Sequence, residues 1–156
     1  MARGFAAGMR RIVERSLKRI VRDGRRAVAS GKDNDLHALR IDVKRLRYTL
    51  EFAGPVFGDA LREPLSLLAL AQERLGALAD ADTFGRTYAA MLADVPPSSE
   101  LRQGLERLCN DSARERARAL EAVRALWNDA GGVPYPEKLA ASISTVLGSL
   151  SNASAV

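Results

Sequence analysis

The chain has 156 residues, 47% of them apolar, and a formal net charge of +5, which suits one packed domain, is short for two, and excludes a disordered chain. Its single cysteine, Cys109, excludes an internal disulfide framework and fits a reducing compartment, and Leu105 and Leu108 beside it point to an ordinary buried thiol. No apolar run approaches the roughly 18 residues of a membrane helix, and no apolar signal core opens the chain, so a cytoplasmic location is expected.

In chain order, the spacing predicts a first helix from about Phe5 to Ala29, with Met9, Val13, Leu17, Ile20 and Ala27 on its apolar side and Gly31 ending it. Asp33, Asn34 and Asp35 are candidate N-caps for a second helix, whose Leu36, Leu39, Val43, Leu46, Leu50, Ala53 and Phe57 form one apolar stripe. Gly54-Pro55 and Gly58 mark its frayed end. A third helix has Pro64 in its first turn and Leu65, Leu68, Gln72 and Leu75 along one side. Gly76 is expected to separate it from a fourth helix carrying Leu78, Phe84, Tyr88 and Leu92 towards Val95. After the break at Pro96-Pro97, Ser98 or Ser99 caps a long helix from about Glu100 to Trp127, with Leu101, Leu105, Leu108, Ala119, Leu120 and Val123 as its apolar residues. Gly131 to Pro136 stops it, and a last helix spans about Glu137 to Leu150 before a Ser/Ala tail expected to be disordered. No strand alternation or internal repeat occurs. The expected fold is all-α, an antiparallel four-helix bundle of long helices with an additional C-terminal helix. Residues 1–95 would form a helical unit with a basic face, residues 96–150 would pack on the same domain, and residues 151–156 would be the tail.

Charge is unevenly placed. Residues 1–50 carry 14 Lys/Arg against 5 Asp/Glu, or +9, and residues 51–156 carry 10 against 14, or −4. Two basic rows account for this. On the second helix, His37, Arg40, Lys44 and Arg47 repeat every three or four positions about 110° around from the apolar stripe. They flank the core, so their stems can lie on apolar neighbours while their heads face a crevice. On the first helix, Arg11, Arg15, Lys18, Arg22 and Arg25 form a second row nearly opposite the apolar side. Ordinary solvent faces interleave both signs. Rows of one sign repel themselves, which points to a polyanionic partner docking through attraction and counterion release.

The stretch His37-x-x-Arg40-x-x-x-Lys44-Arg45-Leu46-Arg47-Tyr48-x-Leu50-Glu51 resembles the signature of the CHAD family, the conserved histidine α-helical domain. Gln72-x-x-Leu75-Gly76-x-x-x-Asp80-Ala81-Asp82 is similar to that family's second motif, and the resemblance spans about residues 5–92. It implies a non-catalytic module for inorganic polyphosphate, often fused to or encoded beside triphosphate tunnel enzymes and sometimes directed to polyphosphate granules. Complete members hold two four-helix units around a basic pore. The single signature here most resembles the C-terminal unit, which implies pairing with a second unit or a second copy of this chain. By position, the resemblance assigns His37, Arg40, Lys44 and Arg47 to anion binding, with Tyr48 a weaker member. Arg45 lies on another side of the helix. Asp80 would orient a basic side chain or cap a helix. Arg15, Lys18 and Arg22 fit the family's habit of a basic first helix more loosely, and Arg11 of the same row is expected to bind with them. Arginine forks onto two phosphate oxygens while lysine is a mobile point charge. A histidine gains its proton most readily beside an anion, so His37 is expected to strengthen binding below about pH 7.

Other chemistries fit less well. One histidine, one distant cysteine and the Asp80/Asp82 pair do not make a metal site, and no cofactor motif or P-loop occurs. Ser16 or Ser30 with His37 lacks a nucleophile elbow. A histidine phosphotransfer module would use His37 as phosphoacceptor, but Arg40 stands where that family has a different continuation. RNA binding would use the same rows, yet no aromatic residues alternate with the arginines to stack bases.

Overall fold

The computed structural model describes the backbone of residues 2–153 and the side chains of residues 7–148. Its helices are α1 (Ala2–Ser30), α2 (Asp33–Phe52), the single turn α3 (Gly54–Phe57), a 3-10 turn (Gly58–Leu61), α4 (Arg62–Asp94), α5 (Glu100–Asn128) and α6 (Tyr135–Ala153). The all-α expectation holds, and no strand occurs among the described residues.

Every apolar anchor expected on α2 from Leu36 to Ala53 is buried, from Leu36 at 4% to Val43 and Leu46 at 0% exposure. The turn before α2 closes on Gly31, whose φ of 64° suits a residue without a Cβ and whose N–H donates to the Ala27 carbonyl at 2.9 Å. The expected Asp33 to Asp35 cap is corrected by the structure: Lys32 holds the N-cap position with no side-chain cap bond, and Asp33 and Asp35 lie in the first turn. There their charge still suits the positive end of the helix dipole. Ser99 does cap α5, accepting from the Leu101 N–H.

A second correction concerns residues 62–94. The break expected at Gly76 is absent, and one 33-residue helix runs through it. Glycine inside a helix costs about 1 kcal/mol relative to alanine, but Leu75 and Leu78 on either side of Gly76 are each only 2% exposed. Burying two leucines outweighs that cost. Residues 1–95 therefore hold three long helices, and α5 supplies the fourth.

Contacts run α1 to α2, α2 to α4, α4 to α5 and α5 back to α1, with α6 against α1, α4 and α5. The α2–α4 and α4–α5 pairs run antiparallel. Along α2, Arg47 meets Gln72 of α4 while His37 meets Ala79 to Thr83. Along α5, Arg102 meets the Val95 carbonyl while the Ser112 hydroxyl donates to that of Ala81. One buried cluster draws residues from α1, α2, α4, α5 and α6. At its C-terminal end α6 begins earlier than expected, at Tyr135. That ring is fully buried 4.6 Å from the Trp127 ring, and its hydroxyl donates to the Leu67 carbonyl at 3.2 Å. The tail expected from residue 151 is helical through Ala153, and residues 154–156 lie outside the described ones.

Between Leu78 and Ala119 the buried side chains among the described residues are two small ones, Ala81 at 5% and Ser112 at 8% exposure, and neither joins the main apolar cluster. The α1–α2 turn ends level with Asp82 and Arg116, so the rest of α4 and α5 runs on past the bundle as a hairpin. Phe84, Leu101 and Leu108, read from the sequence pattern as apolar-face residues, are 43% exposed or more, and Cys109 is half-buried where a buried thiol was expected. The spacing of these residues makes an apolar face, but among the described residues that face is left largely exposed.

Candidate functional site

Helix α2 separates its charges by side. Asp35 and Asp42 look toward α1, where Asp35 accepts from the Ser30 hydroxyl at 3.3 Å and Asp42 lies 3.9 Å from Arg19. His37, Arg40 and Arg47 look the other way, toward α4. Both sides flank the same apolar stripe, so the heptad-like spacing that buries Leu36, Leu39, Val43 and Leu46 also sorts the charges.

Between α2 and α4 lies an open cleft of about 370 Å³. His37, Arg40, Asp33 and Asn34 form one wall, and Ala79, Asp80, Asp82, Thr83 and Arg86 the other, over a floor of Leu36, Leu75 and Leu78. The two sequence stretches singled out above therefore face each other. Among the described residues, His37, Arg40, Lys44, Asp80 and Arg86 form no ion pair. Lys44 stands with its Nζ 5.6 Å from the Tyr48 ring centroid, a cation–π contact that positions the ammonium along the row. Arg47 is differently placed. It donates to Glu51 at 2.8 Å and to the Gln72 side-chain oxygen at 3.2 Å, so its guanidinium already has protein partners.

The α1 row occupies another surface. Arg11, Arg15, Lys18 and Arg22 are all exposed, and Asp23 of α1 with Asp35 and Asp42 of α2 lies along the seam between the helices. The two rows do not merge into one face. Within the α1 row, Arg22 is engaged twice by Asp23, both contacts at 2.9 Å, and this hydrogen-bonded pairing holds the Asp23 carboxyl below the usual range.

Two participants escaped sequence reasoning. Arg86 enters the cleft from α4, four residues after Asp82 and seven after Ala79, a helical spacing that could have shown it. Arg116 comes from α5. Its Nε donates to Asp82 at 2.5 Å, and its Nη2 donates to Asp33 and, at 3.2 Å, to the Gly31 carbonyl. Asp33 first and Asp82 after it raise the Arg116 guanidinium above its ordinary range, against the opposing effect of burial. Nothing local in the sequence marks this residue, because its partners stand 34 or more positions away.

The architecture defines an all-helical protein with a charged interhelical cleft. Its sequence matches the model of the CHAD domain over residues 2–89, and the chain belongs to that family. No curated protein and no solved structure gave a match. Among the described residues, no helix is long and apolar enough to cross a membrane, and no group of three or more metal-ligating side chains occurs.

Proposed function

We propose that this chain is a non-catalytic binding module for inorganic polyphosphate, which lies lengthwise along the α2 row and contacts His37, Arg40 and Lys44. The observation that carries the reading is the sorting of charge on α2: Asp35 and Asp42 are turned to α1 and Asp33 is taken up by Arg116, leaving His37, Arg40 and Lys44 on the other side without an ion pair among the described residues. A flexible polyanion needs such a row of donors more than an enclosing pocket. Family membership supports the same reading, since polyphosphate is the ligand that the CHAD resemblance implies. Arg47 joins by exchanging Glu51 for phosphate, and the Arg11, Arg15, Lys18 row gives a second, weaker track.

Titration of long-chain polyphosphate, short-chain polyphosphate and sulfate onto the parent and an Arg40→Ala/Lys44→Ala variant tests this. The variant is expected to bind long chains at least roughly tenfold more weakly. Its log K against log salt should be shallower by about 0.7 per lost contact. A variant lacking Arg11, Arg15 and Lys18 loses less. Single-stranded RNA at matched phosphate concentration should compete poorly. His37, which shares the cleft with Asp33, Arg40, Asp80, Asp82 and Arg86, contacts the same polyanion, so His37→Ala is expected to weaken binding of long chains. Unchanged affinity in the Arg40→Ala/Lys44→Ala variant removes the proposal.

A further inference from the structure

The cleft contains its own competitors for its cations. Asp33 is four residues before His37 and shares its helical side, and Asp82 faces the same space from α4. The Asp82 side chain is only 12% exposed. A carboxylate so placed needs a cation beside it to stay charged. In this structure Arg116 is that cation for both acids. Were it removed, the nearest remaining positive groups in the cleft would be His37, Arg40 and Arg86.

We infer that Arg116 is a positioning residue for anion binding: by holding Asp33 and Asp82 against α5, it keeps two carboxylates off His37 and Arg40 and leaves those side chains open to phosphate. The inference rests on the reading of this cleft as the polyphosphate site. It assigns a role to a residue outside the 2–89 family match, on a helix that contributes no residue to the cleft wall and reaches it only through Asp33 and Asp82. A single guanidinium contacting the α1–α2 turn, the start of α2 and the middle of α4 also ties the cleft walls together. The electrostatic and fastening roles can be separated, because only the first is restored by removing the acids.

The test is a titration of long-chain polyphosphate onto the full chain in four forms: parent, Arg116→Ala, Asp33→Asn/Asp82→Asn, and the triple variant combining them, each checked for helicity by circular dichroism. Arg116→Ala is expected to bind at least tenfold more weakly than the parent. The triple variant, which has lost every charged contact of the clasp, should recover to within about threefold of the parent. If Arg116 only fastens the helices, the triple variant stays as weak as Arg116→Ala, and that result overturns the inference. Should Arg116→Ala fail to fold, Asp33→Asn/Asp82→Asn decides instead: tighter binding than the parent supports the inference, and equal or weaker binding overturns it. A parent that does not bind polyphosphate overturns the cleft reading and this inference together. A parent that binds alongside an unaffected, folded Arg116→Ala overturns this inference alone.

Discussion

Tyr135 is the residue on which the C-terminal helix is seated, and its environment gives it a measurable pH signature. The phenol is fully buried, so loss of its proton would place an anion in the core, and burial pushes its pKa well above the ordinary range. An unfolded tyrosine releases its proton near pH 10. Above that pH the unfolded chain binds fewer protons than the folded one, so stability must fall as pH rises, by at most about 1.4 kcal/mol per pH unit from this group. Below about pH 10 its contribution is intact. Tyr135→Phe removes the hydrogen bond to the Leu67 carbonyl and should cost on the order of 1 kcal/mol at pH 7. The same change should flatten the alkaline fall. Urea unfolding of both proteins at pH 7 and pH 11 checks this, and an identical loss between the two pH values in parent and variant would contradict it. Arg116, by contrast, could not be read from sequence. Its partners are remote, and an arginine on a charged helix carries no local mark of its role.

Among the elements, α2 was the most legible. Three-and-four spacing defined both its buried stripe and the row beside it, and both follow from helical rotation alone. Helix α4 was read as two helices because glycine is a common punctuator, yet the leucines around Gly76 bury enough surface to carry the helix through it. Gly24 of α1 and Gly76 of α4 should respond in opposite ways to the same substitution. A Cβ at Gly24 would stand 3.0 Å from Trp127 Cζ2 and 3.2 Å from Leu39 Cδ1, at the place where α1 touches both α2 and α5. Overpacking of this kind costs about 1–3 kcal/mol, against about 1 kcal/mol gained in helix propensity. A Cβ at Gly76 meets nothing within 4 Å. Gly24→Ala is expected to lower the thermal midpoint by a few degrees and Gly76→Ala to raise it, at about 2–4 °C per kcal/mol for a domain of this size. A rise in both would show that α1 can shift to admit the methyl.

For the molecule as a whole, stability is unevenly spread. The cluster that joins α1, α2, α4, α5 and α6 ends at Leu78 and Ala119. Beyond Asp82 the α4–α5 hairpin continues for about 18 Å along α4, by the rise of 1.5 Å per residue, with only its two helices to hold it. Ser112 donating to Ala81, and Arg102 bonded to Glu106 and the Val95 carbonyl, are its main polar ties. Regions with few buried apolar contacts open locally before the whole fold does. Amide hydrogens of residues 86–108 should therefore exchange at least tenfold faster than those of residues 67–78 and 119–127, as followed by mass spectrometry or NMR. Uniform protection along α4 would refute this. Amphipathic spacing showed that these residues form a face; how far the first hairpin reaches to cover it depends on the lengths of α1 and α2, which propensity does not fix.

The lateral division of charge on α2 also bears on how a ligand is counted. From His37 to Arg47 the row is ten residues long, or about 15 Å. On the polyphosphate reading proposed above it is a short open track, so a phosphate polymer longer than the track would touch it with only a few units at a time. Further lengthening adds no new contacts with the row and multiplies only the number of equivalent alignments. Intrinsic affinity per site should then level off at modest polymer length, while apparent affinity keeps rising in proportion to the number of ways the thread can be laid down.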